Sequence, residues 1–194
     1  MSSNNVNTTN MPSKTRILVE GAMLIAMAMI LSMIKFYELP QGGSITLEML
    51  PLVVMGYRHG TKWGCFTGLV HGLIQMILGF SNVLYCQTAA AMIGCVLLDY
   101  LVAFTVLGLA PVFSGLIQKR IPGLVFGAVI VGLLRFACSF LSGWLLWGSY
   151  APEGMGAVVY SFTYNASYMI PDIIILAIII GILAKTAPKI FTQS

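Results

Sequence analysis

Glu20, Glu48, Asp99, Asp172 and Arg135 lie inside apolar stretches of a 194-residue chain that is 58% hydrophobic and only 8% charged. A charged side chain at membrane depth costs about 2.5–3.5 kcal/mol on insertion scales, so such groups face an interior cavity, pair with one another or mark a functional site. Asp99 is near the middle of CVLLDYLVAF, Glu48 is in a short segment with Pro51, and Asp172 directly follows Pro171. Glu20 lies within a turn of the end of its stretch, where its side chain can also snorkel outward. Arg135 is the one embedded base; it either serves a site or forms a structural ion pair with one of the acids.

Aromatic residues gather near the outer ends of the last two apolar segments. Ser139, Gly143 and Trp147 are spaced i, i+4, i+8 and share a helix face. Tyr160, Tyr164 and Tyr168 form a second stripe, with Asn165 beside it. Trp144 and Tyr150 suit an interfacial aromatic belt, but Asn165 facing lipid would leave its amide unpaired. Acids and aromatic faces around one pocket suit a flat organic cation. Ring faces attract positive charge at about 0.5–2 kcal/mol per contact, and a carboxylate accepts a bond from a ring amine and fixes its orientation.

Other chemistries lack their residues. No GxxxxGK[ST] loop is present, so the chain does not use ATP by itself. There is no HExxH and no paired Cys/His set, so neither a metal nor another cofactor is expected. His59 and His71 stand apart from any nucleophile. An intramembrane enzyme would have to rely on Asp99 or Glu48 as its acid–base group, and a purely structural subunit would leave the embedded acids and Asn165 without a purpose. Cys65, Cys86, Cys95 and Cys138 lie in apolar stretches and are expected to be reduced packing residues. The net charge of +4 is scattered, which argues against a nucleic-acid partner.

The elements that must position these groups are membrane helices. A hydrocarbon core about 30 Å thick needs roughly 20 helical residues. Apolar segments at 16–37, 45–57, 62–80, 83–112, 121–147 and 158–185 predict an all-α integral membrane protein with six transmembrane helices. The second segment is short and holds Pro51. The polar residues 1–13 are expected to be a disordered cytoplasmic tail, 14–188 the six-helix membrane domain, and 189–194 a C-terminal tail. With six crossings, Lys14, Arg16, Arg58, Lys62, Lys119, Arg120, Lys185 and Lys189 share one side, and only Lys35 falls on the other. The positive-inside rule then places both termini in the cytoplasm of a cell membrane. The outward loops 37–44, 80–83 and 148–160 are candidates for a lid over an outward-facing pocket.

Several stretches together resemble a known family. LLDYLVAFTVLGLA (97–110), RFACSFLSGWLLWGSYAPEGM (135–155) and YSFTYNASYMIPD (160–172) are similar to the thiamine-specific substrate-binding subunit, or S-component, of energy-coupling-factor (ECF) transporters; GGSITLEMLP (42–51) and RHGTKWG (58–64) fit as well. The resemblance implies a six-helix bundle that captures thiamine at the outer face. It also implies partners, a membrane coupling protein and two ATPase subunits, which supply the missing ATP motif. Trp147 resembles the family's ring-stacking tryptophan, and Tyr160 and Asn165 its polar ligand contacts. Asp99-Tyr100 resembles an acid–tyrosine pair at the aminopyrimidine. With Ser139, Gly143 and the embedded Glu48 these form the expected ligand-binding set. Ala22 and Ala26 match an AxxxA docking surface for the coupling protein, and small-residue ladders also occur at Gly64/Gly68/Gly72 and Gly123/Gly127. Three positions depart from the family pattern. The acid is commonly glutamate, Leu101 stands where proline is usual, and Ser139 stands where the pocket has a histidine. A thiamine precursor or another vitamin is therefore the alternative ligand.

Overall fold

The computed structural model describes residues 14–39, 43–86 and 88–192. α1 (Lys14–Met33) leads into a hairpin of β1 (Tyr37–Glu38) and β2 (Ser44–Ile45). Then follow α2 (Met49–His59), α3 (Thr61–Leu78), α4 (Ala89–Ser114), α5 (Arg120–Leu146) and α6 (Ala157–Thr186). Short helical turns at Phe80–Val83, Gly148–Tyr150 and Pro188–Phe191 fill the connections. The expected tail 1–13 lies outside the described residues, as do 40–42 of the first outward loop and 193–194 of the second tail. Residues 188–191 are not loose: Phe191 is buried, with its ring edge-on to Tyr57 at 5.9 Å.

Among the described residues, α1, α4, α5 and α6 are long and apolar enough to cross a membrane. α2 is not. Its 11 residues rise only about 16 Å at 1.5 Å per residue, roughly half a hydrocarbon core. Most of its residues are buried, so it is an interior half-helix wrapped by the longer ones. Both segments flanking the first loop are shorter than expected, because the hairpin takes their ends. Tyr37 pairs with Ile45 and Glu38 with Ser44, and the Leu39 amide donates to the Gly43 carbonyl at 2.9 Å. Gly43 sits at φ 85°, in the left-handed region open to glycine.

The core joins α2, α4, α5 and α6 through Leu52, Val53, Leu107, Val131 and Ile180, all fully buried. The glycine ladders serve this internal packing. A Cβ on Gly64 would lie 2.9 Å from the Gly108 Cα, and one on Gly72 would lie 2.6 Å from the Tyr100 carbonyl oxygen. Backbone on backbone, α3 therefore lies against α4. Gly123 similarly meets the Ser114 carbonyl oxygen.

α4 is not the uniform helix its apolar run suggests. An α-helical start, Ala89–Cys95, opens into a π-helical segment, Val96–Val102, and later tightens to a 3-10 turn, Val106–Leu109. The tight turn has a clear cause. Pro111 has no amide hydrogen to give the Leu107 carbonyl, and the Ala110 amide takes that carbonyl instead. The π-helical segment holds Asp99 and Tyr100, and such insertions recur at functional sites.

The two ends of the bundle differ electrically. At one end Glu20 receives Arg58 Nε at 2.7 Å, His59 Nε2 at 2.6 Å and Arg16 Nε at 3.2 Å. Arg58 also donates to the carbonyls of Lys189 and Thr192. Glu20 and Arg58 together clamp α1, the α2–α3 corner and the Pro188–Phe191 turn, beyond any snorkelling role. The opposite end contains the cavity.

Candidate functional site

A cavity of about 590 Å³ opens between the hairpin, α3, α4, α5 and α6. Glu48, Asp99, Tyr100, Ser139, Gly143, Trp147, Tyr160 and Asn165 all line it. Residues far apart in sequence are brought together because the helices carrying them meet at one end. Ala22 and Ala26 do not line it; both are exposed on α1, beside the exposed Met23 and Met27.

Asp99 forms the acidic wall. Its Oδ2 accepts from the Ser142 hydroxyl at 2.5 Å and from the Cys95 thiol at 3.3 Å. The Trp147 side chain is a further hydrogen-bonding neighbour. All of these donors are neutral. The ion pairs of the described residues engage Glu20, Glu38 and Glu48, never Asp99. Tyr100 does not reach across the cavity; its hydroxyl donates to the Gly79 carbonyl at 3.2 Å and closes the wall between α3 and α4.

The aromatic wall comes from the end of α5 and the start of α6. Trp147 terminates α5 and packs against Tyr150 with ring centroids 5.6 Å apart. Tyr160, Tyr164 and Tyr168 run along α6, their neighbouring centroids 5.7 and 6.4 Å apart. Gly143 lets the two helices close: a Cβ there would collide with the Ser161 hydroxyl. Asn165 is buried, which answers the difficulty of an amide in lipid. Its amide nitrogen donates to the Ser161 carbonyl at 2.9 Å, and its oxygen accepts from the Tyr168 hydroxyl at 2.8 Å.

Glu48 lines the cavity but differs from Asp99. Its carboxylate is held by Arg135 Nη2 at 2.5 Å and Gln75 Nε2 at 2.9 Å, with His71 Nε2 at 3.8 Å. Arg135 therefore pairs with an embedded acid, and that acid is Glu48. The guanidinium also lies 4.3 Å from the Phe104 ring centroid, a cation–π contact. Asp172 accepts from the Thr46 amide at 2.9 Å and ties the residue that follows β2 to α6.

The expected ligand set omitted Gln75, Asn82 and the pair Lys35–Glu38, all of which line the cavity, although Glu38 and Asn82 fall in the loops 37–44 and 80–83 expected beside the pocket. Gln75 had a signal, an amide alone in the apolar end of α3. The pairing of the hairpin had no signal, since two-residue strands carry no periodicity.

The geometry agrees with three comparisons. Residues 18–192 match the thiamine transporter protein family, Thia_YuaJ. Thiamine transporter ThiT of Bacillus subtilis is 38% identical over 89% of this chain and 92% of its own length. The ThiT of Lacticaseibacillus paracasei is 26% identical over 90% of each chain. A solved structure of ThiT from Listeria monocytogenes superposes with a TM-score of 0.76 at 31% identity, covering 91% of this chain and 97% of that one. A single family thus spans nearly every described element from α1 to the last turn, and the chain belongs to the thiamine transporter protein family.

Proposed function

We propose that this chain is the thiamine-binding S-component of an ECF-type transporter, capturing thiamine in the cavity and delivering it through an ATP-driven module. The observation that carries the reading is Asp99: a carboxylate with only neutral donors, facing an aromatic cavity. Thiamine is a flat, permanently cationic molecule with a ring amine. Its aminopyrimidine fits the Asp99 side and its rings fit against Trp147 and Tyr160, with Asn165 offering polar contacts. The volume falls within the range of about 300–1,000 Å³ usual for small-molecule sites. Relatives that are thiamine transporters support the choice of ligand.

The same reading places six crossings in the membrane, both termini in the cytoplasm, and the cavity facing outward. The basic end with Arg58, Arg120 and Lys189 fits the cytoplasmic side. The coupling protein docks on the α1 face at Ala22 and Ala26, and two ATPase subunits supply the energy this chain has no motif to harvest.

Titration of the purified chain in detergent with thiamine, followed by heat and tryptophan quenching, tests the proposal. One-to-one binding is expected, and nanomolar affinity corresponds to about −12 kcal/mol. Silence in both signals at micromolar thiamine refutes it. The small side chain of Ser139 in the wall favours one second reading, a thiamine precursor. Mass spectrometry of ligand released from denatured protein separates the two.

A further inference from the structure

Asp172 is an embedded acid that the cavity leaves unused. Neither it nor its partner Thr46 lines the cavity, and both are buried. A buried carboxylate is unfavourable unless it is hydrogen-bonded, and packing alone calls for an apolar side chain. What the carboxylate does here is accept from the Thr46 amide at 2.9 Å. Thr46 lies between β2 and α2, at the root of the hairpin. The hairpin's own ladder ends one residue earlier, at Ile45, whose carbonyl accepts from the Phe36 amide. The Thr46 amide lies beyond that pairing, and a side chain of α6 holds it. The Thr46 hydroxyl in turn accepts from the Glu48 amide at 3.4 Å. The tip side of the hairpin rests on the same helix: a Cβ on Gly43 would lie 2.6 Å from the Tyr168 ring. Asn165, Tyr168 and Asp172 are spaced i, i+3, i+7 and share one face of α6. That face both lines the cavity, through Asn165 and Tyr168, and seats the hairpin that brings Gly43, Ser44 and Glu48 into the cavity wall.

We propose that Asp172 is a positioning residue of the ligand site: it fastens the hairpin root to α6 and so sets how long a bound ligand is retained. The proposal rests on the cavity being the thiamine site. Asp172 acts through Thr46 and does not touch the ligand. Two strands of two residues each have little pairing of their own, and segments with few buried contacts open locally at small free energy. Removing the acceptor leaves the Thr46 amide buried and unpaired, which favours the open arrangement where water reaches it. Opening takes Gly43 and Ser44 out of the cavity wall, so a ligand escapes faster. Affinity differences between closely related sites are mostly differences in dissociation rate, and that is the quantity Asp172 governs. The charge of Asp172 is not the active feature. A neutral acceptor of the same shape holds the same amide.

Two measurements on the purified full-length chain in detergent test this. Hydrogen–deuterium exchange of the empty protein, read by peptide mass spectrometry, follows the fastening. Stopped-flow release of thiamine, read by tryptophan fluorescence, follows its consequence. In Asp172→Leu, peptides carrying Phe36, Leu39 and Thr46 should exchange about tenfold faster, for the loss of one hydrogen bond, while peptides from α5 exchange as in the parent. Thiamine should leave that variant about tenfold faster as well. Asp172→Asn, whose side-chain oxygen still accepts from Thr46, should match the parent in both measurements. Parental exchange of the hairpin in Asp172→Leu would overturn the proposal. So would parental release of thiamine from a loosened hairpin. Asp172→Asn behaving like Asp172→Leu would overturn it too, by making the charge the active feature. Faster exchange throughout Asp172→Leu would show a general structural group rather than a positioning one. The exchange measurement needs no ligand, so a hairpin loosened in Asp172→Leu alone, in a protein that binds no thiamine, would support the fastening and count against the transport reading.

Discussion

Asp99→Asn isolates the charge that the proposed binding mode depends on. Asparagine has the same shape, so the cavity wall stays in place. The amide oxygen still accepts from the Ser142 hydroxyl, now 2.5 Å from the carboxylate. What disappears is the negative charge facing the ligand's ring amine. A hydrogen bond to a charged group contributes about 1.5–3 kcal/mol, which is about 10- to 150-fold in Kd. Among the described residues no ion pair engages Asp99, so the loss should fall near the upper part of that range. Glu20→Gln is the matched control. Its carboxylate is at the other end of the bundle, gripped by Arg58 and His59, and distant sites act independently. Affinity there should stay within about twofold. Calorimetric titration of both variants with thiamine decides the matter. Equal losses, or none at Asp99, would remove Asp99 from the ligand.

Glu48→Gln should behave as a stability variant, because it strands Arg135 in the interior; breaking a buried pair costs about 3–5 kcal/mol. Thermal unfolding in detergent should show a large drop that the double change with Arg135→Met partly restores. Gly68→Ala should destabilise by about 1–3 kcal/mol, because its Cβ would strike the Phe104 carbonyl. Gly156→Ala, with open space around it, should unfold like the parent. Ala22→Trp with Ala26→Trp should leave thiamine affinity unchanged but abolish copurification with the coupling module and thiamine uptake by cells; surviving uptake would exclude that face.

How much of this was legible in the sequence depended on scale. Long apolar runs locate α3, α5 and α6 closely, because a membrane enforces continuous helices. The spacing of Ser139, Gly143 and Trp147 places them on one face, and all three line the cavity. What depended on backbone contact was hidden. The tight turn in α4 follows from Pro111, the π-helical segment lies where α3 approaches at Gly72, and a hydropathy pattern records neither. Partner choice was hidden too. Arg135 had four acids within the apolar stretches to choose from; only the packing of α2 beside α5 selects Glu48. The glycines of α3 had the same ambiguity. Small-residue spacing announces close approach, but whether to this chain or another was settled by Gly108 lying opposite Gly64.

The four embedded acids then separate into two kinds. Glu20 and Glu48 are answered by arginine, and Asp172 by a backbone amide in the interior. Asp99 alone faces the cavity with neutral donors, an arrangement that costs free energy in the empty protein. On the proposed function, a cationic ligand supplies the missing partner. Binding and folding should therefore be coupled in a particular way. Empty Asp99→Asn protein should unfold at the same temperature as the parent or higher, since an unpaired charge has been removed. Thiamine should raise the parent's unfolding temperature strongly, by the mass-action term that reaches about 4 kcal/mol at a thousandfold excess over Kd. It should raise that of Asp99→Asn far less at the same concentration. Differential scanning of the four samples measures this directly. If the empty variant unfolds well below the parent, Asp99 is a structural group that its neutral donors satisfy, and its charge is not held in reserve for a ligand.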